Sequence, residues 1–197
     1  MSIIQATDSS SYGFLQASST DALDDNALDR VLHDFWMGLT NLDATLIRPR
    51  WLAEPGNMPD INTNWLAHGI VERRDDVFSS EVFVDGVGTK VWHNQEFDCL
   101  LSFYGPNAYA TQAKVRDGFK LAQNRDYLHD NLLNIISIGA AKNAAFQING
   151  KWYMKVDCTV YFRRTITTIY PILKLLSAVQ QEHYDNTAYN PTTITHN

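Results

Sequence analysis

Hydrophobic positions recur along this chain at two different periods, and the periods divide it into helices and strands. Leu28, Val31, Leu32, Phe35 and Leu39 follow Asp24 and Asp25 at helical spacing, so residues 25–39 are expected to form an amphipathic helix whose N-terminus the aspartates favour. Alternation replaces that period further on. Phe97, Cys99, Leu101 and Phe103 share one side of a strand, Glu96, Asp98 and Ser102 lie on the other, and Gly105-Pro106 ends it. Residues 152–162 repeat the pattern, with Trp152, Met154, Val156, Cys158, Val160 and Phe162 set against Tyr153, Lys155, Asp157, Thr159 and Tyr161. Further extended runs are read at 65–71, at 81–84, from Thr89 onward and at 132–138; Gly86 and Gly88 mark one turn and Asn149-Gly150 a tight hairpin. Asn107 is expected to cap a helix reaching about Asn124, with Ala108, Val115, Phe119 and Ala122 buried, and a last helix is expected from Tyr170-Pro171 to about Val179. This order predicts an α+β fold, a mixed, mostly antiparallel β-sheet with helices packed on it.

The segments between and around these elements have their own character. Pro49, Pro55, Gly56 and Pro59 exclude a continuous helix or a central strand over 48–64, so that stretch is expected to be an irregular connection. A loop of such length inside a compact domain is more often functional than idle. Residues 7–20 are serine-rich and hold too little apolar surface to offset chain entropy; they are expected to order only against a partner. The expected organisation is a flexible N-terminal arm over 1–20, one α+β domain over 21–179 and a polar tail over 180–197.

Charge changes this picture by position more than by total. The 197 residues hold 16 Lys plus Arg against 22 Asp plus Glu, a net charge of −6 that argues against bulk electrostatic binding to DNA or anionic lipid. Asp8, Asp21, Asp24, Asp25, Asp29, Asp34 and Asp43 face only Arg30 within residues 1–47, so that segment alone carries −6 and the remainder balances. Asp21, Asp24 and Asp25 are therefore the candidates for an acidic channel or rim. No apolar run approaches the ~18 residues of a membrane span, and no basic, then apolar, leader opens the sequence, so a soluble chain made inside the cell is expected.

The sequence offers little that resembles catalytic chemistry. Histidines 33, 68, 93, 129, 183 and 196 include no pair at metal-binding spacing, and there is no G-x-S-x-G, phosphate-binding loop or complete G-x-G-x-x-G. Cys99 and Cys158 read as small hydrophobes on apolar strand faces. No catalytic, cofactor-binding or metal-ligating residue and no cofactor is expected. Glu72, Asp75 and Asp76 around Arg73-Arg74 read as a surface salt-bridge cluster. Arg163-Arg164 is taken to end the last strand, where it is either a site for phosphate or a partner's carboxylate or simply a solvated terminus. Trp51, Trp65, Tyr104 and Tyr109 fall in segments read as loops, and Trp and Tyr with Arg dominate protein interfaces. Trp51, between Arg48, Pro49, Arg50 and the residues that follow, is either an interface anchor or a lid on the core.

Several ordered motifs add a family to this reading: Arg48-Pro49-Arg50-Trp51, Glu54-Pro55-Gly56-Asn57-Met58-Pro59, Asn64-Trp65-Leu66-Ala67-His68-Gly69-Ile70, Phe103-Tyr104-Gly105-Pro106-Asn107-Ala108, Arg116-Asp117-Gly118, Ala122-Gln123-Asn124-Arg125, and Arg163-Arg164 before Tyr170-Pro171. From about residue 27 to 179 the chain resembles the neck terminator family of tailed bacteriophages, with a departure at Leu66, where members often carry cysteine. The resemblance implies a structural virion protein, assembled in the host cytoplasm, that caps the head-proximal end of the tail tube and joins it to the head connector. It implies a homo-oligomeric ring subunit, most often hexameric, around a channel that genomic DNA crosses without specific binding, and it implies no enzyme. Interface candidates are then Arg48, Pro49, Arg50, Trp51, Trp65, Tyr104, Asn107, Arg163 and Arg164. The competing reading is a nucleic-acid-binding module that stacks bases on the loop aromatics beside arginines; a hydrolase is weaker, since nothing sets a nucleophile beside a base.

Overall fold

The computed structural model describes residues 5–21, 23, 25–52 and 56–173. Three short strands come first: β1 (Gln5–Ala6), β2 (Phe14–Leu15) and β3 (Ser19–Thr20). Helix α1 (Asp25–Thr40) follows, then β4 (Ile47–Pro49), β5 (Trp65–Asp75), β6 (Ser80–Val84) and β7 (Gly88–Tyr104). Helices α2 (Ala108–Gly118) and α3 (Ala122–Asp130) precede β8 (Leu133–Ile138), β9 (Lys142–Asn143), the hairpin β10 (Phe146–Ile148) with β11 (Lys151–Tyr153), and β12 (Lys155–Tyr170). The α+β reading holds: the main sheet runs β3-β12-β7-β5-β4, with β6 also on β7 and β8 and β9 also on β12. Every pairing in it is antiparallel except β4 with β5.

The sheet is built on one ladder, in which β7 and β12 pair over sixteen rungs from Tyr104↔Lys155 to Thr89↔Tyr170. Alternation puts Phe97, Cys99, Leu101 and Phe103 on the same face as Val156, Cys158, Val160 and Phe162, all buried. The three helices cover that face. Leu28, Leu32, Phe35 and Trp36 of α1 enter the core, Trp36 edge-on to Phe162 at 6.1 Å and Phe35 stacked on Phe119 at 5.8 Å. Helix α1 ends where Asn41 takes a left-handed φ of 56°.

Several sequence expectations need correction. The helix expected from Asn107 to Asn124 is two helices. Gly118 is the last residue of the first and lies close against α1, where a Cβ would stand 2.8 Å from Leu39, and Asn124 Nδ2 donates to the Gly118 carbonyl at 2.9 Å. The strand read over 152–162 is interrupted at Met154 and its main part continues to Tyr170, so Arg163-Arg164 sits inside it. Part of the irregular stretch is a strand, β4, whose Pro49 is tolerated because β4 lies at the sheet edge. Asn149 and Gly150 form the expected hairpin turn, both with positive φ (49° and 76°). Residues 171–173 follow β12 without helix, and the rest of the expected last helix lies outside the described residues. The serine-rich arm meets its own chain: Ser18 N donates to the Ile169 carbonyl at 2.8 Å and Asp21 N to that of Thr167 at 3.1 Å.

Candidate functional site

The segment 47–51 reaches the sheet edge as β4, in parallel register Ile47↔Leu66, Arg48↔Ala67 and Pro49↔His68. Arg50 N continues the pairing by donating to the His68 carbonyl at 2.7 Å, and Trp51 then turns the chain away with a left-handed φ of 56°. The indole rests on Gly69: a Cβ at that position would stand 2.6 Å from Trp51 Cζ3 and 2.9 Å from the Arg50 Cβ, so only glycine admits this approach. Trp51 remains 69% exposed, which makes it a fixed surface aromatic rather than a core lid.

Arg50 leaves the same strand in another direction. It crosses the sheet face opposite the helices and donates from Nη2 to Ser102 Oγ, which donates in turn to Asp157; Lys155 Nζ holds the second oxygen of Asp157 at 2.9 Å. Arg48 is also committed, donating to the Asn57 carbonyl at 2.7 Å and standing over the Trp65 ring at 5.7 Å. Trp65 and Tyr104, read as loop residues, are partners in β5 and β7; opposite rungs bring their rings face to face at 3.9 Å, with Lys155 over Tyr104 at 5.8 Å. Phe146 adds an edge contact to Tyr104 at 6.4 Å. Tyr109 lies on α2, exposed.

Asn107 precedes α2 but its side chain does not cap it; its own N–H is instead received by Asn64 Oδ1 at 2.8 Å. Gly105 makes that approach possible, because with φ of 96° any Cβ there would fall 2.5 Å from the Thr63 carbonyl oxygen. The two arginines of β12 part company. Arg163 faces outward near Glu96 at 3.9 Å, whereas Arg164 is buried, donating to Gln95 Oε1 at 2.9 Å and to the Leu23 carbonyl at 3.0 Å. Burial and the nearby Arg73 lower the Arg164 pKa.

Of the acidic candidates, Asp21 is exposed beside β12, Asp25 pairs with Arg73 at 2.6 Å, and Asp24 lies outside the described residues. The expected salt-bridge cluster forms only in part: Arg74 binds Glu72 at 2.9 Å and also Asp98 at 2.5 Å, whereas Arg73 turns to Asp25, Asp75 to Gln95 and Asp76 to Asn94. The hydrogen bonds to Asp98 and Glu72 raise the Arg74 pKa. The networks Arg50–Ser102–Asp157 and Arg164–Gln95 escaped sequence reasoning, because alternation assigns Gln95, Ser102 and Asp157 to faces but not to cross-strand partners.

The buried cysteines and the buried histidine are held in their neutral forms. Burial pushes both the Cys99 and Cys158 thiols up to about 12, far from a reactive thiolate at neutral pH. His68 is buried with neither ring nitrogen hydrogen-bonded, and desolvation lowers its pKa to about 4. Among the described residues no three His, Cys, Asp or Glu side chains gather as metal ligands, and no helix is long and apolar enough to cross a membrane.

The comparisons with known proteins agree with the motifs. No curated protein matches the chain. The family described as phage neck terminator protein matches residues 26–187, which include all of α1 but its first residue, α2, α3, β4–β12 and every interface candidate above. With most of its length accounted for in this way, the chain belongs to the phage neck terminator family, a family of structural proteins of the virion.

Proposed function

We propose that this protein caps the head-proximal end of the tail tube and joins it to the head-to-tail connector, as one subunit of a six-membered ring around the DNA channel. The observation that carries the proposal is Trp51: a large aromatic, 69% exposed, yet held in one place by Gly69, by its own turn and by the Arg50–His68 backbone bond. An anchor fixed before contact loses little conformational freedom on binding. Leu52 and Met58 are exposed on the same connection, and Arg48 and Pro49 complete the candidate surface; Arg163 stands apart from it on β12. Trp65 and Tyr104 turn their faces to each other, which favours a structural role for them over base stacking.

Class averages of the neck test the ring directly: six-fold density at the tail-tube end is expected, and a single copy per particle or an open filament overturns the proposal. Trp51→Ala tests the surface. The variant should stay folded, with stability close to the parent, and should fail to assemble; a loss of about 3 to 5 kcal/mol, the cost of truncating a core tryptophan, would return Trp51 to the core.

A further inference from the structure

Among the strand edges of the main sheet that have no partner in the described residues, two stand at the same height on opposite sides. Strand β4 covers β5 only as far as His68, so β5 from Ile70 to Asp75 presents an open edge. On the other side, β8 pairs with β12 alone and its outer edge is open over Leu133–Ile138. The ladders fix the correspondence: Ile70 is level with Cys99, Val160 and Ile138, and Asp75 with Gln95, Arg164 and Leu133. Each open edge is therefore six residues long, over the same rungs. Each carries a bulge within one rung of the other, at Val71 on β5 and at Ile136 on β8, and both bulged residues are exposed.

We propose that in the assembled ring this sheet continues from copy to copy, with β5 residues 70–75 of one subunit pairing with β8 residues 133–138 of the next. The inference rests on the ring reading above and specifies its joint. Strand direction permits it: β5, β7, β12 and β8 alternate, so β5 and β8 run oppositely, and a neighbour placed alongside in the same orientation brings them together antiparallel. The contact uses two different edges of each copy, the heterologous type that closes a ring.

Chemistry favours a second copy of this chain as the occupant. The core is unfinished at both edges, where Ile70 on one side and Ile135 and Ile138 on the other remain only partly buried against it. Level pairing sets Ile70 beside Ile138 of the neighbour and carries the apolar layer across the joint. Along β8 there is no charge and no proline, the usual protections of an edge meant to stay free, while Glu72, Arg73, Arg74 and Asp75 on β5 sum to zero, so no like-charge repulsion opposes the pairing. A cavity of about 160 Å3 lined by Asp25, Trp51, Ile70 and Arg73 lies at the β5 edge, continuous with the Trp51 surface.

Glu72 and Ser137 are level and both exposed, so the doubly substituted Glu72→Cys, Ser137→Cys protein tests the joint in particles, the native thiols being buried. Mild oxidation or a short bismaleimide should produce a ladder of covalent oligomers ending at the ring number, and each single variant should give monomer only. A six-fold ring in class averages without a ladder overturns the joint and leaves the ring reading standing. Absence of any ring removes both. As a second measurement, Ile136→Lys places a charge on the β8 edge; the isolated subunit should keep its Tm, while the concentration needed for assembly should rise tenfold or more. Assembly of that variant at the parent's concentration counts against the joint as decisively as a missing ladder.

Discussion

His68 occupies the core-facing position between Leu66 and Ile70 on β5, where an aliphatic residue would be expected. Fully buried and without a hydrogen-bond partner, its ring is tolerated only in the neutral form, which is why desolvation lowers its pKa to about 4. The consequence for stability has a definite sign. Above the unfolded value of 6.5 both states are neutral and pH has no leverage; between 6.5 and about 4 the unfolded chain takes up a proton that the folded chain refuses, so stability falls as pH falls. The loss should approach about 3 kcal/mol by pH 4, from a separation of some 2.5 pH units between the two states. Denaturant unfolding at pH 7, 5.5 and 4.5 checks this: the parent should lose stability over that range more steeply than His68→Leu, and equal slopes would show that His68 is not the group responsible.

At the scale of elements, the β12 arginines show how one strand gives adjacent residues opposite duties. Arg164→Ala should cost about 2 to 3 kcal/mol, since it strips a buried guanidinium from Gln95 and from the Leu23 carbonyl and leaves both without their donor. Arg163→Ala should change stability by no more than about 0.5 kcal/mol, its contact with Glu96 being long and exposed. Thermal unfolding of the two variants separates them. Sequence reading could not, because a dipeptide at a presumed strand end carries no sign of which side chain turns inward. What was legible followed periodicity: α1 and the alternating faces of β7 and β12 announced themselves through Leu28 to Leu39, Phe97 to Phe103 and Val156 to Phe162. What was hidden depended on partners distant in sequence. The glycine at 118 answers to Leu39 of another helix, β4 exists because β5 offers it an edge, and the distal half of β12 is rich in arginine and threonine, so no apolar stripe marks it. The interface candidates were found by residue type, but the exposure of Trp51 and the mutual stacking of Trp65 with Tyr104 needed the register.

For the whole molecule, charge is distributed so that the body balances and the first 47 residues carry −6. Six copies would concentrate −36 in these segments, a field that repels duplex phosphate wherever they face a channel or its rim. The protein should accordingly show no measurable DNA binding near 0.15 M salt, about physiological ionic strength, whereas changing Asp21, Asp24 and Asp25 to Lys should create weak binding that declines steeply with added salt. Filter binding or fluorescence anisotropy across a salt series checks both; tight, salt-sensitive binding by the parent would favour the nucleic-acid module instead. The sixteen-rung ladder between β7 and β12 bears on how such a subunit comes into being. Its rungs join residues 51 apart in sequence at Tyr104–Lys155 and 81 apart at Tyr170–Thr89, so loop closure is slightly less costly at the first end, where zippering is expected to start. Because β12 is also the strand on which β3, β8 and β9 pair, any meander of β5, β6 and β7 formed in the emerging chain would keep one long edge bare until residues 155–170 leave the ribosome. Folding of this subunit is thus expected to be committed late in synthesis, with the interval before it the one in which the chain is most exposed to pairing with the wrong strand.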